Sequence, residues 1–454
     1  MFSRRLVLTG AAALALFYQL MLPPVPGVAD NGDFGKLLGR YGLASGQTFI
    51  YANTKLHVAD QYRYRSGFYS SESLLIAPAV VINRVLSPDG SFDLRIMGAV
   101  HGLLFLLAVF LFASVVKNTA IGALAILLFG DFLYAGFLNS FYMDAAAYLF
   151  TLLAAVFYLR AILCRRTIDS LALLAAMLLV ITSKSQFAML GPWFAGLFWL
   201  SRDWLAAGRK AVAAAACALL LAATWISYRY FAPQHYAAAN PFSVIFSQIL
   251  PNAPNPDRAL LELGLDDRYR RWIGLQAYSP GVPLDDPDFF ADFRRRTSYR
   301  KIALYYLRHP TEAWQALRTS LDVSGRFQSP LGNFDSHSGK PPAAQYQSFQ
   351  FISRCKRRVF HHHGGRLFMY FAALAILTPA VVWRRMRRQP GAVWGAAVLA
   401  AMALSSLVFS ALADVYDQLR HELIPFALFD ILALVLVWSL LFRRAAKAAI
   451  RAQT

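Results

Sequence analysis

The feature that most constrains this chain is a succession of apolar blocks, each close to the length a helix needs to cross a bilayer. Ten can be marked off, at 6–22, 94–116, 120–138, 145–163, 168–181, 187–200, 211–231, 367–383, 392–412 and 423–442. Inside a hydrocarbon core no water satisfies stray N–H and C=O groups, so blocks of this kind must be helical. The stretch 71–86 is also apolar, but Pro78 interrupts it, and it reads as interfacial or re-entrant. A chain that is 57% hydrophobic and 15% charged, with its apolar residues gathered this way, is not an ordinary soluble protein. The expected fold is an all-α polytopic membrane bundle of about ten transmembrane helices.

Charge sets the orientation. Arg4 and Arg5 precede the first block, which places the amino terminus in the cytoplasm. Alternating the spans then gathers Lys117, Arg160, Arg165, Arg166, Arg202, Arg209, Lys210, Arg384, Arg385, Arg387 and Arg388 on that same side. The tail residues Arg443, Arg444, Lys447 and Arg451 follow them, so both termini are expected to be cytoplasmic. Much of the formal charge of +20 is thus explained by membrane topology, and nucleic acid is not an expected partner. The first block also fits a cleavable leader, with Gly27-Val28-Ala29 as its small-residue site. Helices rich in Ala and Arg suggest a bacterial inner (plasma) membrane. Cys164, Cys217 and Cys355 are too few for a disulfide framework and fall in different compartments.

This topology divides the chain into three parts. Residues 1–231 form an amino-terminal membrane module whose first outer loop spans 23–93. Residues 232–366 form a mainly helical extracytoplasmic domain, and 367–454 a carboxy-terminal membrane module. Within the outer domain, 299–317 reads as an amphipathic stretch broken by Pro310.

Four polar clusters meet the outer face. They are Asp30-Asn31-Gly32-Asp33-Phe34, Asn139-Ser140-Phe141-Tyr142-Met143-Asp144, Ser183-Lys184-Ser185-Gln186, and the group Asp414, Asp417, Arg420 and His421. Each mixes charged groups with hydroxyls or amides, whereas the inner connections carry mostly bare Arg and Lys. Helices entering from outside present amino-terminal N–H groups and positive dipole ends there, which suit a phosphate. Asp131, inside the third block, needs a partner or a wet cavity; it either joins this site or makes a structural hydrogen bond between helices. Asn31-Gly32 is also a turn signal that Asp30 can cap, and Lys184 and Arg420 also fit the headgroup boundary. His361-His362-His363 is a weak metal motif, because three adjacent histidines do not face one ion in regular structure. The runs Arg294-Arg295-Arg296 and Arg354 with Lys356-Arg357-Arg358 suit anionic headgroups or an acidic glycan. Asp60, Arg63 and Arg65 read as surface charge.

At these residues the chain resembles the polytopic glycosyltransferases of the C fold (GT-C). It is also similar to bacterial glycan-biosynthesis hexose transferases of the surface-layer glycan, WsfD type. The resemblance rests on Asn31-Gly32-Asp33-Phe34, on Asp131-Phe132-Leu133-Tyr134 leading to Asp144, on Ser183-Lys184-Ser185-Gln186, and on Arg420-His421. In the outer domain it extends to Leu263-Gly264-Leu265-Asp266, Tyr306-Leu307-Arg308-His309-Pro310 and Leu331-Gly332-Asn333-Phe334. The chain departs from the pattern at Asp144, where Glu is expected, and at Phe187, where Asn is expected.

The resemblance implies a hexosyltransferase that moves a sugar from a polyprenyl-phosphate donor to a glycan or lipid acceptor on the extracytoplasmic face. It places the essential acid just after the first helix, where Asp30 and Asp33 stand, with Asp33 in the matching motif. The residues support such chemistry on their own terms. An acceptor hydroxyl needs a base, and a departing phosphate needs fixed cations. Asp33 or Asp30 is the expected base, in an inverting displacement. Lys184, Arg420 and His421 are expected on the phosphate, and Asp144 on the sugar or a cation. Asp131, Asn139, Tyr142 and Gln186 complete the expected binding set. A divalent metal requirement is not readable. The rivals are a transporter or flippase of lipid-linked glycans, which needs discontinuous helices at mid-membrane, a non-catalytic scaffold, and a glycan ligase of the same fold.

Overall fold

The computed structural model describes residues 2–46, 49–58, 67–87, 90–205, 210–233, 236–283, 286–413, 415 and 417–451. Asp60, Arg63, Arg65, Arg209 and Asp414 lie outside the described residues. Helices stand at all ten expected places. They are α1 Phe2–Leu20, α2 Leu94–Val115, α3 Thr119–Phe129, α4 Met143–Cys164, α5 Thr167–Ile181, α6 Gly191–Leu200, α7 Lys210–Tyr230, α8 Gly364–Met386, α9 Pro390–Ala413 and α10 Leu423–Arg451. Among the described residues, α2, α4, α7, α8, α9 and α10 are each long and apolar enough to cross a membrane. The chain is an all-α polytopic membrane protein.

The third block is not one continuous span. It breaks at Gly130-Asp131, and a short second segment, Phe132–Leu138, leaves α3 at 48°. Asp131 causes the restart: its backbone is extended and its carboxylate accepts the Leu133 N–H at 3.0 Å, capping a new helix. Hydropathy could not show this, because the flanking residues are equally apolar. The 71–86 stretch forms a 14-residue helix, Ser73–Leu86. At 1.5 Å per residue it reaches about 21 Å, too short to cross.

At one end of the bundle lie the arginine-rich connections, where Arg160 pairs with Asp169 at 2.7 Å and Tyr158 donates to the Gly391 carbonyl at 2.6 Å. The other end carries both long hydrophilic regions. The first contains a small antiparallel sheet, β1 Leu43–Ala44, β2 Lys55–Val58 and β3 Phe92–Asp93, paired in that order. The second contains a separate aromatic core built on Phe242, Phe246, Tyr269, Phe293 and Tyr305. Its Tyr299–Arg308 and Pro310–Ser324 helices meet at His309, where Pro310 starts the second helix. The two regions lock together beyond that core. Gly27 and Ala29 donate to the carbonyls of Asn333 and Gly332, both at 2.9 Å. A Cβ on Gly332 would stand 2.0 Å from the Ile50 carbonyl oxygen, so this crossing needs glycine.

Glu422, in the turn before α10, is fully buried and accepts a hydrogen bond from Ser320 Oγ at 2.8 Å. Burial pushes its carboxyl up from 4.5 to about 8. Between those values the folded chain binds a proton that the unfolded chain has released, so stability falls as pH rises through the window. Glu422→Gln should remove that fall, worth on the order of a few kcal/mol. Thermal unfolding of both proteins from pH 5 to 9 measures it; parallel curves would refute it.

Candidate functional site

The first outer loop folds around a turn. Gly32 has a φ of 100°, which suits glycine, and Asp30 Oδ1 accepts the N–H groups of Gly32 at 2.7 Å and Phe34 at 3.1 Å. Asp30 is only 1% exposed, and burial pushes its carboxyl up. It is the clamp of this turn. The turn aims Asp33 the other way, into ion pairs with Lys36 one helical turn on and with Arg420.

Arg420 is the hub. Its guanidinium pairs with Asp33, lies 3.1 Å from Asp417 and 3.9 Å from Asp144, and rests over the Tyr142 ring at 4.7 Å. Lys184 Nζ stands 3.3 Å from Asp144, which sits in the first turn of α4. Asn31 Nδ2 donates to Asp417 at 3.1 Å, and Tyr142 donates to the Ala29 carbonyl at 2.7 Å. His421 Nδ1 lies 2.9 Å from Gln186 Oε1, and its Nε2 lies 3.4 Å from Arg420. All four polar loops therefore meet at one point.

Electrostatics separate the carboxylates. Burial alone would push Asp33 up, but Arg420, Lys36 and Lys184 hold it well below the usual carboxylate range. Burial prevails at Asp417, which is raised, and at Lys184 and Lys36, which are lowered. Ionisable groups pushed apart within one buried cluster are typical of functional sites. Asp33 thus stays ionised beside a cluster of three side-chain cations. The carboxylates and cations here are paired with one another, so an incoming anion would compete with the carboxylates for the same cations. Among the described residues, no group of three or more His, Cys, Asp or Glu is arranged to hold a metal ion.

Two expected residues stand apart from this cluster. Asn139 is fully buried and donates to the carbonyls of Leu20 at 2.9 Å and Pro26 at 2.8 Å, fastening the chain where it leaves α1. Asp131 accepts the Ser353 N–H at 3.0 Å, besides capping Leu133. Of its two readings, the geometry gives the hydrogen bond between elements. Near it, Tyr134 donates to Asp430 at 2.8 Å, and Lys356 pairs with the same carboxylate. Lys356 is therefore not simply resting on headgroups. Phe187, at the departure from the family pattern, is buried with Lys184 Nζ 5.9 Å from its ring centre.

Sequence reasoning missed Lys36, Glu72 and His101. Lys36 had one available signal, its i+3 spacing from Asp33. Glu72, in a serine-rich stretch, and His101, in an apolar helix, had none, because their partners are distant in the chain. They pair at 2.9 Å while fully buried, and Glu72 also accepts the Ala146 N–H at 2.9 Å, anchoring the α4 end that presents Asp144. Glu72→Ala leaves His101 unmatched and should destabilise the chain by about 3–5 kcal/mol. A thermal midpoint unchanged in detergent would contradict this.

Among curated proteins, nothing matches the chain. Among solved structures, it is similar to the archaeal oligosaccharyltransferase AglB from Archaeoglobus fulgidus, solved with an inhibitory peptide and a dolichol-phosphate. That similarity has 14% identity and a TM-score of 0.41, covers 98% of this chain, and spans 52%, about half, of the other. The sequence pattern of the YfdI N-terminal transmembrane domain matches residues 3–453, and the chain belongs to that family.

Proposed function

We propose that this protein is a membrane glycosyltransferase of the C-fold kind that moves a sugar from a polyprenyl-phosphate donor to a glycan or lipid acceptor. The observation that carries the reading is the convergence of Asp33, Asp144, Lys184, Asp417, Arg420 and His421 at one end of the bundle. That end is opposite the arginine-rich connections, so the positive-inside rule makes it extracytoplasmic, with both termini in the cytoplasm of a bacterial inner membrane.

The chemistry follows from the cluster. The donor phosphate binds Arg420, Lys184 and Lys36, with His421 beside them, and draws positive charge away from Asp33. Asp33 becomes more basic when the acceptor hydroxyl arrives and takes its proton. The acceptor oxygen forms a bond to the anomeric carbon from the face opposite the phosphate, and the bond from that carbon to the phosphate oxygen breaks. Polyprenyl phosphate leaves with its charge on the three cations, and the anomeric centre is inverted. Asp144 keeps Lys184 and Arg420 in position. The motif likeness to surface-layer hexose transferases supports a hexose as the group transferred.

The test is transfer by the purified full chain in detergent from a panel of polyprenyl-phosphate hexoses, with the product anomer read by NMR. Lys184→Ala should raise the donor KM and also lower kcat, each about tenfold or more, because the charge that Lys184 faces grows as the phosphate leaves. No transfer from any donor, or a retained anomer, would overturn the reading or its mechanism respectively. The broken third span is a discontinuous helix of the sort a lipid-linked-glycan flippase would use. Its Asp131 is, however, matched by protein N–H groups. Movement of labelled donor across vesicles without transfer would favour the flippase, and transfer of whole glycans a ligase.

A further inference from the structure

We propose that a polar pocket between the outer helices and the turn carrying Asp417 binds an uncharged sugar unit. The pocket measures about 210 Å³, and its walls include Gln248, Gln276, Tyr306, Gln315, Thr319 and Gln418. Gln418 directly follows Asp417, so the pocket adjoins the Arg420 cluster through a shared turn.

Its chemistry differs from that of the cluster. Among the described residues no Lys or Arg lines the pocket, so none of them neutralises a phosphate there. Among the described residues of its wall Glu312 is the one carboxylate, and Tyr305 donates a hydrogen bond to it. The rest of the polar wall is mostly side-chain amides and hydroxyls. These supply donors and acceptors in the same small space, which matches a ring of sugar hydroxyls that each do both.

Two further observations point to a ligand. Gln248 and Tyr306 are 8% and 6% exposed, yet Gln248 Oε1 and the Tyr306 hydroxyl have no hydrogen-bond partner. Buried polar atoms are ordinarily satisfied, so two closed-off, unpaired ones on residues of the same wall leave hydrogen bonds that a ligand parting that wall would complete. Gln248 also lies on a π-helical segment, Val244–Ile249, a rare geometry that recurs at functional sites. The amide is fixed at its other end, where Nε2 donates to the Ala411 carbonyl at 3.1 Å. The cations thus hold an anionic donor, while the neighbouring pocket holds a neutral sugar. Identifying that sugar as part of the acceptor rests on the glycosyl-transfer reading; the binding itself does not.

The experiment is saturation-transfer NMR on the full chain in nanodiscs with the methyl glycosides of glucose, galactose, mannose and rhamnose. At least one should bind, and Tyr306→Phe and exposed Gln315→Ala should each weaken it about tenfold. Lys184→Ala should bind the glycoside as the unaltered protein does while losing donor affinity. Absence of binding by all four, or unchanged binding in both pocket variants, overturns the proposal. If no lipid-linked sugar is ever transferred but Tyr306→Phe still weakens binding, the pocket stands and only its role for an acceptor falls.

Discussion

Asp33→Asn should lower sugar transfer by about 10²–10⁴-fold, the range expected when a positioned base is removed. The substitution keeps the shape of the side chain but removes its capacity to take a proton. Donor affinity should change much less, because Lys184 and Lys36 still face the phosphate and Arg420 still meets Asp417 at 3.1 Å. Asp30→Asn makes the contrast. Asp30 acts through Oδ1, which accepts two N–H groups, and an asparagine oxygen can accept the same pair. Its effect should stay within about tenfold. Single-turnover rates with bound donor compare the two variants directly. Full activity in Asp33→Asn would remove the proposed base, and a larger loss in Asp30→Asn would move that role to Asp30.

Arg420→Ala should be the most destabilising change at the site, at about 3–5 kcal/mol. It leaves Asp33, Asp144 and Asp417 in a buried space without the cation that faces all three. Arg420→Lys should recover part of the stability and little of the donor binding. A single ammonium lacks the planar fork that reaches several carboxylates at once. The cost should also depend on pH. Asp33 is held below the ordinary value of 3.8, so its contribution is present above that value and lost as pH falls through the folded one. The gap in thermal midpoint between the original chain and Arg420→Ala should therefore narrow on acidification. A gap independent of pH would assign the loss to packing over Tyr142 instead.

Much of the architecture was legible in the sequence. Each of the ten apolar blocks fell on a helix, although among the described residues six are long and apolar enough to cross a membrane, or seven with the bent third span, and the two residues His309-Pro310 marked the joint in the outer domain. The candidate site was legible as four polar loops sharing one face. Its internal order was not. Nothing local to Asp30 or Asp33 shows that one carboxylate turns back onto its own loop while the other meets Arg420, 387 residues away. Asp131 and Asn139 looked like members of the same group because they lie in the same motifs, yet their partners are Ser353, Leu20 and Pro26. Buried charge was also underestimated, since Glu72, His101, Lys356 and Asp430 each sit within apolar or amphipathic surroundings.

The difference has a physical origin. Hydropathy and flanking charge are sums over neighbouring residues, and the bilayer responds to those sums, so helix positions follow from the chain itself and flanking charge gives each loop an expected side. A buried ion pair depends instead on which two groups approach within about 4 Å, and helix packing between distant segments decides that. By itself, the sequence determined a polytopic helical bundle with its polar loops gathered at one end. Only the tertiary structure broke the third span, made Arg420 the shared partner of three carboxylates, and opened the neutral pocket beside them.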